Sequence, residues 1–561
     1  VCFQGVAPDL PSRRKIASAK RTTGEVFLVQ QLLTPVGDNL LLSFLVAAIP
    51  LAVVLVLLGV VRRPAWQASS AGLVVAIAIA VTVWEIPLGL TLNSAAAGVT
   101  FALWPVMWIV FNALILYNIA VKSGRFDAFR TWVINHLPND RRVVLVVVGF
   151  CVGALLEGVA GFGAPVAITS ALLIALGFPA LQAITFTLIF NTAPVAFGSL
   201  GVPVTTLGTV TQLSDVTLGA MIGRQLPFLA LLLPFYVVGV YAGMKSVRRL
   251  WPVLLVAGGS FGLGQFVASN YLSYTLTDVI SSLTCLVCTI GMLKIWPLPH
   301  DPEFALDQAA VAAEAKRTDV PPWQGWLPWL ILVGTVIIWT TLKVNLIGQI
   351  PVEWPGLHNE IFVTIYGRPY AAIWTFQPFA NGTAIVAATL ITAALLRVSV
   401  KDCLASVKEA AIQLRLAVVT VTMIVALAYV MNYSGMTYTL GMAAASAGFL
   451  FPLLSAFLGW IAVFLSGSDT AGNALFGNLQ VVAARQLGLD PTLMAATNSS
   501  GGVMGKMISP QNIATGASVT DLKGREGEIL ARTFKHSVIL TLLLGLLVML
   551  QQYVFPWMIP G

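Results

Sequence analysis

The chain has 561 residues, of which 58% are hydrophobic and 10% charged, and its mean hydropathy is +0.88. About a quarter of the residues in a soluble domain are charged, so this composition excludes a water-covered globule and points to an integral membrane protein. The formal charge of +8 does not argue for a nucleic-acid partner, because the cations gather between apolar runs, as cytoplasmic loop charge does.

Residues 1–31 are polar and basic at first and lack the apolar run of a signal peptide. They are expected to be an extension outside the fold, disordered or not native. The first methionine is Met107, so Val1 and Val26 are candidate starts. Apolar stretches of about 20 residues then recur, a length that suits helices, which satisfy their own backbone groups in lipid. The alternation of an outer-membrane barrel is absent. Spans are predicted at 41–61, 71–90, 96–121, 143–156, 166–178, 181–198, 227–243, 252–270 and 278–296. A hydrophilic connector at 297–325 follows, then a span at 327–347 and a loop rich in Pro and aromatic residues at 348–380. The remaining spans are predicted at 383–397, 414–432, 437–458, 460–485, 491–508 and 537–558. The fold class is an all-α polytopic membrane protein with about 12 to 14 membrane segments, two or more of them broken. Arg62 and Arg63, the stretch 122–142 and the stretch 397–415 are the basic loops, which places them in the cytoplasm. Cys285 and Cys288, on one apolar helix, read as packing residues.

Two stretches share a pattern. NTAPVAFGSLGVP runs from Asn191 to Pro203, and NSSGGVMGKMISP from Asn498 to Pro510. Three further pairs, Ser123-Gly124, Ala160-Gly161 and Leu176-Gly177, recur 311 positions later as Ser434-Gly435, Ala471-Gly472 and Leu487-Gly488. Residues 115–203 and 426–510 therefore read as two related repeats within one transmembrane domain, 32–560. Internal repeats with Gly- and Pro-interrupted segments are the mark of secondary transporters. The two stretches are expected to be matched helix breaks around one substrate site, with half-helix N-termini suited to an anion.

Charges inside apolar surroundings are functional candidates by default. Glu157 and Asp469 are the candidate proton carriers, because burial brings reversible protonation of a carboxyl within reach. Lys506 and Arg224 are candidates for a substrate carboxylate. The alternative for these charges is an intramembrane ion pair, such as Glu157 with Lys506. Gly161, Phe162 and Gly163, with Asn191, Thr192, Asn473, Asn498, Ser499 and Ser500, complete the candidate substrate site. For the Asn, Ser and Thr residues the competing role is helix capping. GGVMGKM fails the phosphate-loop pattern, with Ser500 and Met507 at positions that need Gly and Ser or Thr. No hydrolase motif occurs, so no catalytic residue, metal site or cofactor is expected, and the coupling ion would be the proton.

The segments FCVGALLEGVAGFGAPVAI (150–168), GRQLPF (223–228), WPVLLVAGGSF (251–261), FLSGSDTAGNALFGNLQ (464–480) and TNSSGGVMGKMISPQNIA (497–514), with NTAPVAFGSLGVP, give the chain a further likeness. From about residue 32 to 560 it resembles the lactate permease family. The resemblance implies a bacterial inner-membrane permease that imports L-lactate, and also D-lactate and glycolate, with protons. It also implies inverted repeats with re-entrant hairpins and an elevator-like motion, as in the ion transporter superfamily. Residues 1–25 depart from the family. The alternatives are a sodium-coupled carboxylate carrier, a cation/proton antiporter and, in another class, a multi-pass enzyme. The expected partners are the small carboxylate and the bilayer, with a homodimer as one candidate assembly.

Overall fold

The computed structural model describes residues 28–61, 63–161, 164–296, 298, 301–306, 319–518, 520, 522 and 525–560. Residues 1–27 and the centre of the connector, 307–318, lie outside them.

Among the described residues, ten helical stretches are long and apolar enough to cross a membrane, and a bent pair raises the number to 11. The stretch Arg141–Val159 is buried along its whole length, whereas Leu40–Leu58 is 28% buried. The first belongs to the core of the bundle, and the second faces lipid. Asp215–Leu272 counts as one stretch yet contains a turn. Gly243 takes φ +77°, a left-handed conformation that Gly adopts without a Cβ clash. Beyond it the chain runs back on itself: Gly258 lies against Leu231, and Gly262 against Pro227. These limbs are the separate spans predicted at 227–243 and 252–270. The helices Asp469–Leu487 and Pro491–Lys506 are too polar to pass on hydropathy alone, yet they are almost wholly buried.

Two helix hairpins end inside the protein. In the first, Arg141–Val159 turns at Gly161, φ +53°, and returns as Ala164–Ala175, with Gly153 facing Thr169. In the second, Phe451–Ser466 turns at Gly467, φ +71°, and returns as Asp469–Leu487. Ser455 donates to Gln480 at 2.5 Å, and the Gln480 amide donates back to the Ser455 carbonyl at 3.0 Å. The hairpins enter from opposite ends. The open end of the first is tied to the connector through Arg142 and Asp301. The open end of the second meets the loop 348–380, where the Arg485 guanidinium lies 4.7 Å from the Tyr366 ring centre. Each hairpin is followed by a broken helix. After the first come Ala180–Phe190 and Val195–Thr211, bent by 65°. After the second come Pro491–Lys506 and Pro510–Ser518.

Three details differ from the sequence expectation. NTAPVAFGSLGVP is a true interruption, with Ser199, Leu200 and Gly201 all in the left-handed region. NSSGGVMGKMISP breaks later than its glycines suggest, because the helix runs to Lys506 and is interrupted only at Met507, Ile508 and Ser509, before Pro510. Its glycines serve packing: a Cβ on Gly501 or Gly505 would strike the backbone of Ala456 or Trp460, and such close helix contact offsets the cost of about 1 kcal/mol for each helical Gly. The loop 348–380 is folded as two small sheets. Ile350–Glu353 pairs antiparallel with Ile373–Phe376, and Ile361–Val363 pairs with Arg368–Pro369 and, in parallel, with Val29–Gln30. Gln31 is buried and donates to the carbonyls of Asn432 and Tyr433 at 2.9 and 2.8 Å. Residues 29–31 are thus part of the membrane domain, not of an extension.

Candidate functional site

The hairpin tips and the breaks that follow them converge on a cavity of about 40 Å³, walled by Glu157, Ser199, Asp469, Thr470, Lys506 and Asn512 among others. That is room for a few waters. The first hairpin contributes Glu157, which is 2% exposed. Glycines let the backbone close in around it, since a Cβ on Gly198 would lie 2.8 Å from Glu157 Oε1. Lys506, at the end of its helix, donates from Nζ to Glu157 Oε1 at 2.6 Å, and Asn191 Nδ2 donates to Oε2 at 3.0 Å.

The second hairpin contributes Asp469, the first residue of its returning helix. Asp469 Oδ2 accepts from Ser499 Oγ at 2.5 Å and from Asn473 Nδ2 at 3.3 Å, while Oδ1 has no partner among the described residues. Ser468 caps this helix by accepting from the Ala471 N–H, and Ser509 does the same for Asn512 at the start of Pro510–Ser518. Two helix N-termini, with their positive dipole ends, therefore face the cavity beside Lys506. The arrangement suits a small anion.

The expected residues fall into three groups. Glu157, Asp469 and Lys506 line the cavity. Asn191, Asn473 and Ser499 hold its carboxylates from behind. The others serve elsewhere. Asn498 is used up by Gln480, Asn473 and the Gly472 carbonyl. Thr192 donates to the Ile189 carbonyl at 2.7 Å, a helix-end bond. Gly161 gives the first hairpin its turn, where a Cβ would overlap Ser199 Oγ. Ser500 is buried with no partner for its hydroxyl among the described residues. Phe162 and Gly163 lie outside the described residues. Arg224 is not a wall of the cavity. Its guanidinium is committed to Asn270 at 2.8 Å and to the Met558 carbonyl at 2.9 Å, so it ties the chain end to the bundle.

One acid escaped the sequence reading. Asp278, 1% exposed, lies in the first turn of Thr277–Ile295, where an acid reads as a helix-start residue. Both of its carboxylate oxygens lack a hydrogen-bond partner among the described residues. The signal was YTLTDVISSL, an acid one turn inside an apolar run.

A sequence profile described as L-lactate permease matches residues 43–555. The chain belongs to the L-lactate permease family. The permease is 41% identical over 555 residues to a protein of Escherichia coli strain K12 named glycolate permease GlcA, covering 94% of this chain and 99% of that one. It is 40% identical over 561 residues to the L-lactate permease of Bacillus subtilis strain 168, with coverage of 94% and 99%. Among solved structures, MtrF of Neisseria gonorrhoeae, whose title places it in a class of antimetabolite efflux pumps, matches with a TM-score of 0.50 and 14% identity over 89% of this chain and 97% of that one. That likeness concerns the fold alone. The permease is a multi-pass membrane transporter and not an enzyme.

Proposed function

We propose that this permease carries L-lactate, D-lactate and glycolate into the bacterial cell across the inner membrane, each anion together with one proton. The carrying observation is the Lys506–Glu157 pair in the cavity wall, at 2.6 Å. Lys506 is the cation of the cavity wall, and Glu157 occupies it. A proton arriving on the Glu157 carboxylate cancels that charge and frees the ammonium for the substrate carboxylate. The substrate anion then takes over the ion pair, and the net charge of the site stays constant. This matters because an uncompensated charge in a dry interior costs several kcal/mol. Asp469, facing the same cavity with one oxygen free, would be the second acid to answer to protonation. Its free oxygen would accept from the 2-hydroxyl that these substrates share.

The names of the relatives support the substrate class. The order hairpin then broken helix, met twice from opposite ends, supports inverted repeats and movement of the two tips about a central site. The test is uptake of radiolabelled L-lactate into proteoliposomes, alkaline inside and acidic outside, without sodium. A sodium gradient at equal pH and an ionophore control for lactic acid leak accompany it. Accumulation driven by the pH step is the expected result. Accumulation with sodium alone would overturn proton coupling, and none in either arm would overturn the substrate.

A further inference from the structure

We propose that Asp278 is a proton relay, passing the coupling proton between an outer vestibule and Glu157. This rests on the proton-coupled reading above and adds the route by which the proton reaches the pair.

Three observations place it. First, Asp278 stands beside the pair. It packs on the helix segment that carries Glu157, where a Cβ on Gly158 would come within 2.7 Å of Asp278 Cβ, so Gly158 is what admits it. Second, its carboxyl is fully buried and receives no donor among the described residues. Glu157 has Lys506 and Asn191, and Asp469 has Ser499 and Asn473. A permanently ionised carboxylate with no donor loses its hydration and gains nothing in return, so a purely structural Asp would be a poor choice there. A carboxyl that alternates between holding and releasing a proton has a reason to stand free of fixed partners.

Third, Asp278 has a neighbour on the outer side. Tyr274 lies four residues earlier, about one helical turn or 6 Å away along the chain. Its hydroxyl donates to Asp215 at 2.6 Å and lies 3.0 Å from Thr205 Oγ1. Tyr274, Asp215 and Thr205 all line a cavity of about 900 Å³. That vestibule reaches into the loop 348–380 through Ile373 and Thr375, on the side opposite the basic loops. The same helix thus runs from the vestibule wall to the ion pair.

The charged groups acting on Asp278 are Glu157 and Lys506. The neighbouring helix Gly198–Thr211 and the span helix Leu327–Thr341 carry no titratable residue. The basic residues near the Gly243 turn lie at the other end, where Arg249 meets Asp301. Cys151 and Cys285 lie on the inward part of the same two segments, with their sulfurs in contact. The step balances: Asp278 gives its carboxyl proton to the Glu157 carboxylate, Lys506 is released, and Asp278 recovers a proton from the vestibule through water beside Tyr274.

The test compares wild type with Asp278→Asn and Asp278→Glu in proteoliposomes. Two readouts are used: L-lactate accumulation driven by a pH step, and lactate counterflow at equal pH. Wild type should do both. Asp278→Asn should retain counterflow while pH-driven accumulation falls about a hundredfold, the scale of a lost proton-transfer group. Asp278→Glu should keep both, with a shifted pH profile. Accumulation by Asp278→Asn at the wild-type rate overturns the relay and leaves the transport reading intact. Loss of counterflow in both variants makes Asp278 a packing residue and also overturns it. Silence of the wild type in both readouts removes the transport reading, and the relay with it.

Discussion

Arg142 and Lys506 are both buried cations on membrane-embedded helices, yet their surroundings differ. Arg142, with no exposed side-chain surface, uses all three nitrogens: Nε and Nη2 donate to Asp140 at 3.0 and 2.7 Å, and Nη1 to Ser246 and Asp301, both at 3.0 Å. Phe304 lies against its guanidinium at 4.3 Å. This group joins the base of the first hairpin to the connector, and nothing in it is left free to react. Among the described residues Lys506 has one partner, Glu157. Around it stand an Asp469 oxygen and both Asp278 oxygens without hydrogen bonds among the described residues. A cluster with every bond made holds a shape. A cluster with spare acceptors and one cation has somewhere to put a proton and an anion.

The sharpest way to break this contrast is to remove each cation. Lys506→Gln should reduce L-lactate and glycolate uptake at least about a hundredfold, and should cost about 3–5 kcal/mol by leaving Glu157 buried without its partner. Adding Glu157→Gln should restore the unfolding temperature but not the uptake. Thermal unfolding in detergent beside proteoliposome uptake reads both. Arg142→Ala should cost a similar 3–5 kcal/mol, yet uptake per folded molecule should stay within about twofold of wild type. If its uptake collapses while the fold stands, the division into structural and working clusters fails. Asp469→Asn sharpens the comparison within the site: accumulation driven by a pH step, coupled through Glu157, should survive with KM for lactate raised, and its loss with counterflow intact would make Asp469 the coupling acid. Gly502→Ala places a Cβ 2.5 Å from Asp469 Oδ1 and 2.6 Å from Val463. The crowding should cost about 1–3 kcal/mol and slow exchange more than it changes KM. Arg224→Ala should have the smallest effect, about 1 kcal/mol from two lost hydrogen bonds, with KM for lactate unmoved.

Much of this was legible in the sequence because lipid allows few solutions. Scarce charge meant spans, and charge inside a span marked a candidate site, and three residues so marked, Glu157, Asp469 and Lys506, line one cavity. Residues whose role depends on what lies opposite them were harder. Glycines at 501, 502 and 505 suggest a break when read along one strand of sequence, but they are contact surfaces for another helix. Asp278 looks like an ordinary helix-start acid until its two oxygens prove to have no hydrogen-bond partner among the described residues. Arg224 looked like an anion site for the same reason, since its partners Asn270 and Met558 are 46 and 334 residues away. The strand Val29–Gln30 was hidden because its pairing partner, Ile361–Val363, lies more than half a chain distant.

The glycine contacts between Phe451–Ser466 and Pro491–Lys506 have a mechanical consequence. Gly459 rests on the backbone of Asn498, Gly501 on that of Ala456, and Gly505 on that of Trp460. With main chains in contact along about two turns, the two helices have no slack between them, and Lys506 is mounted on a stiff strut rather than a swinging arm. The backbone that carries the lysine can move away from Glu157 only if the strut moves as a whole relative to the first hairpin. A covalent staple across the strut should therefore be harmless, while one between the two hairpin tips should jam the carrier.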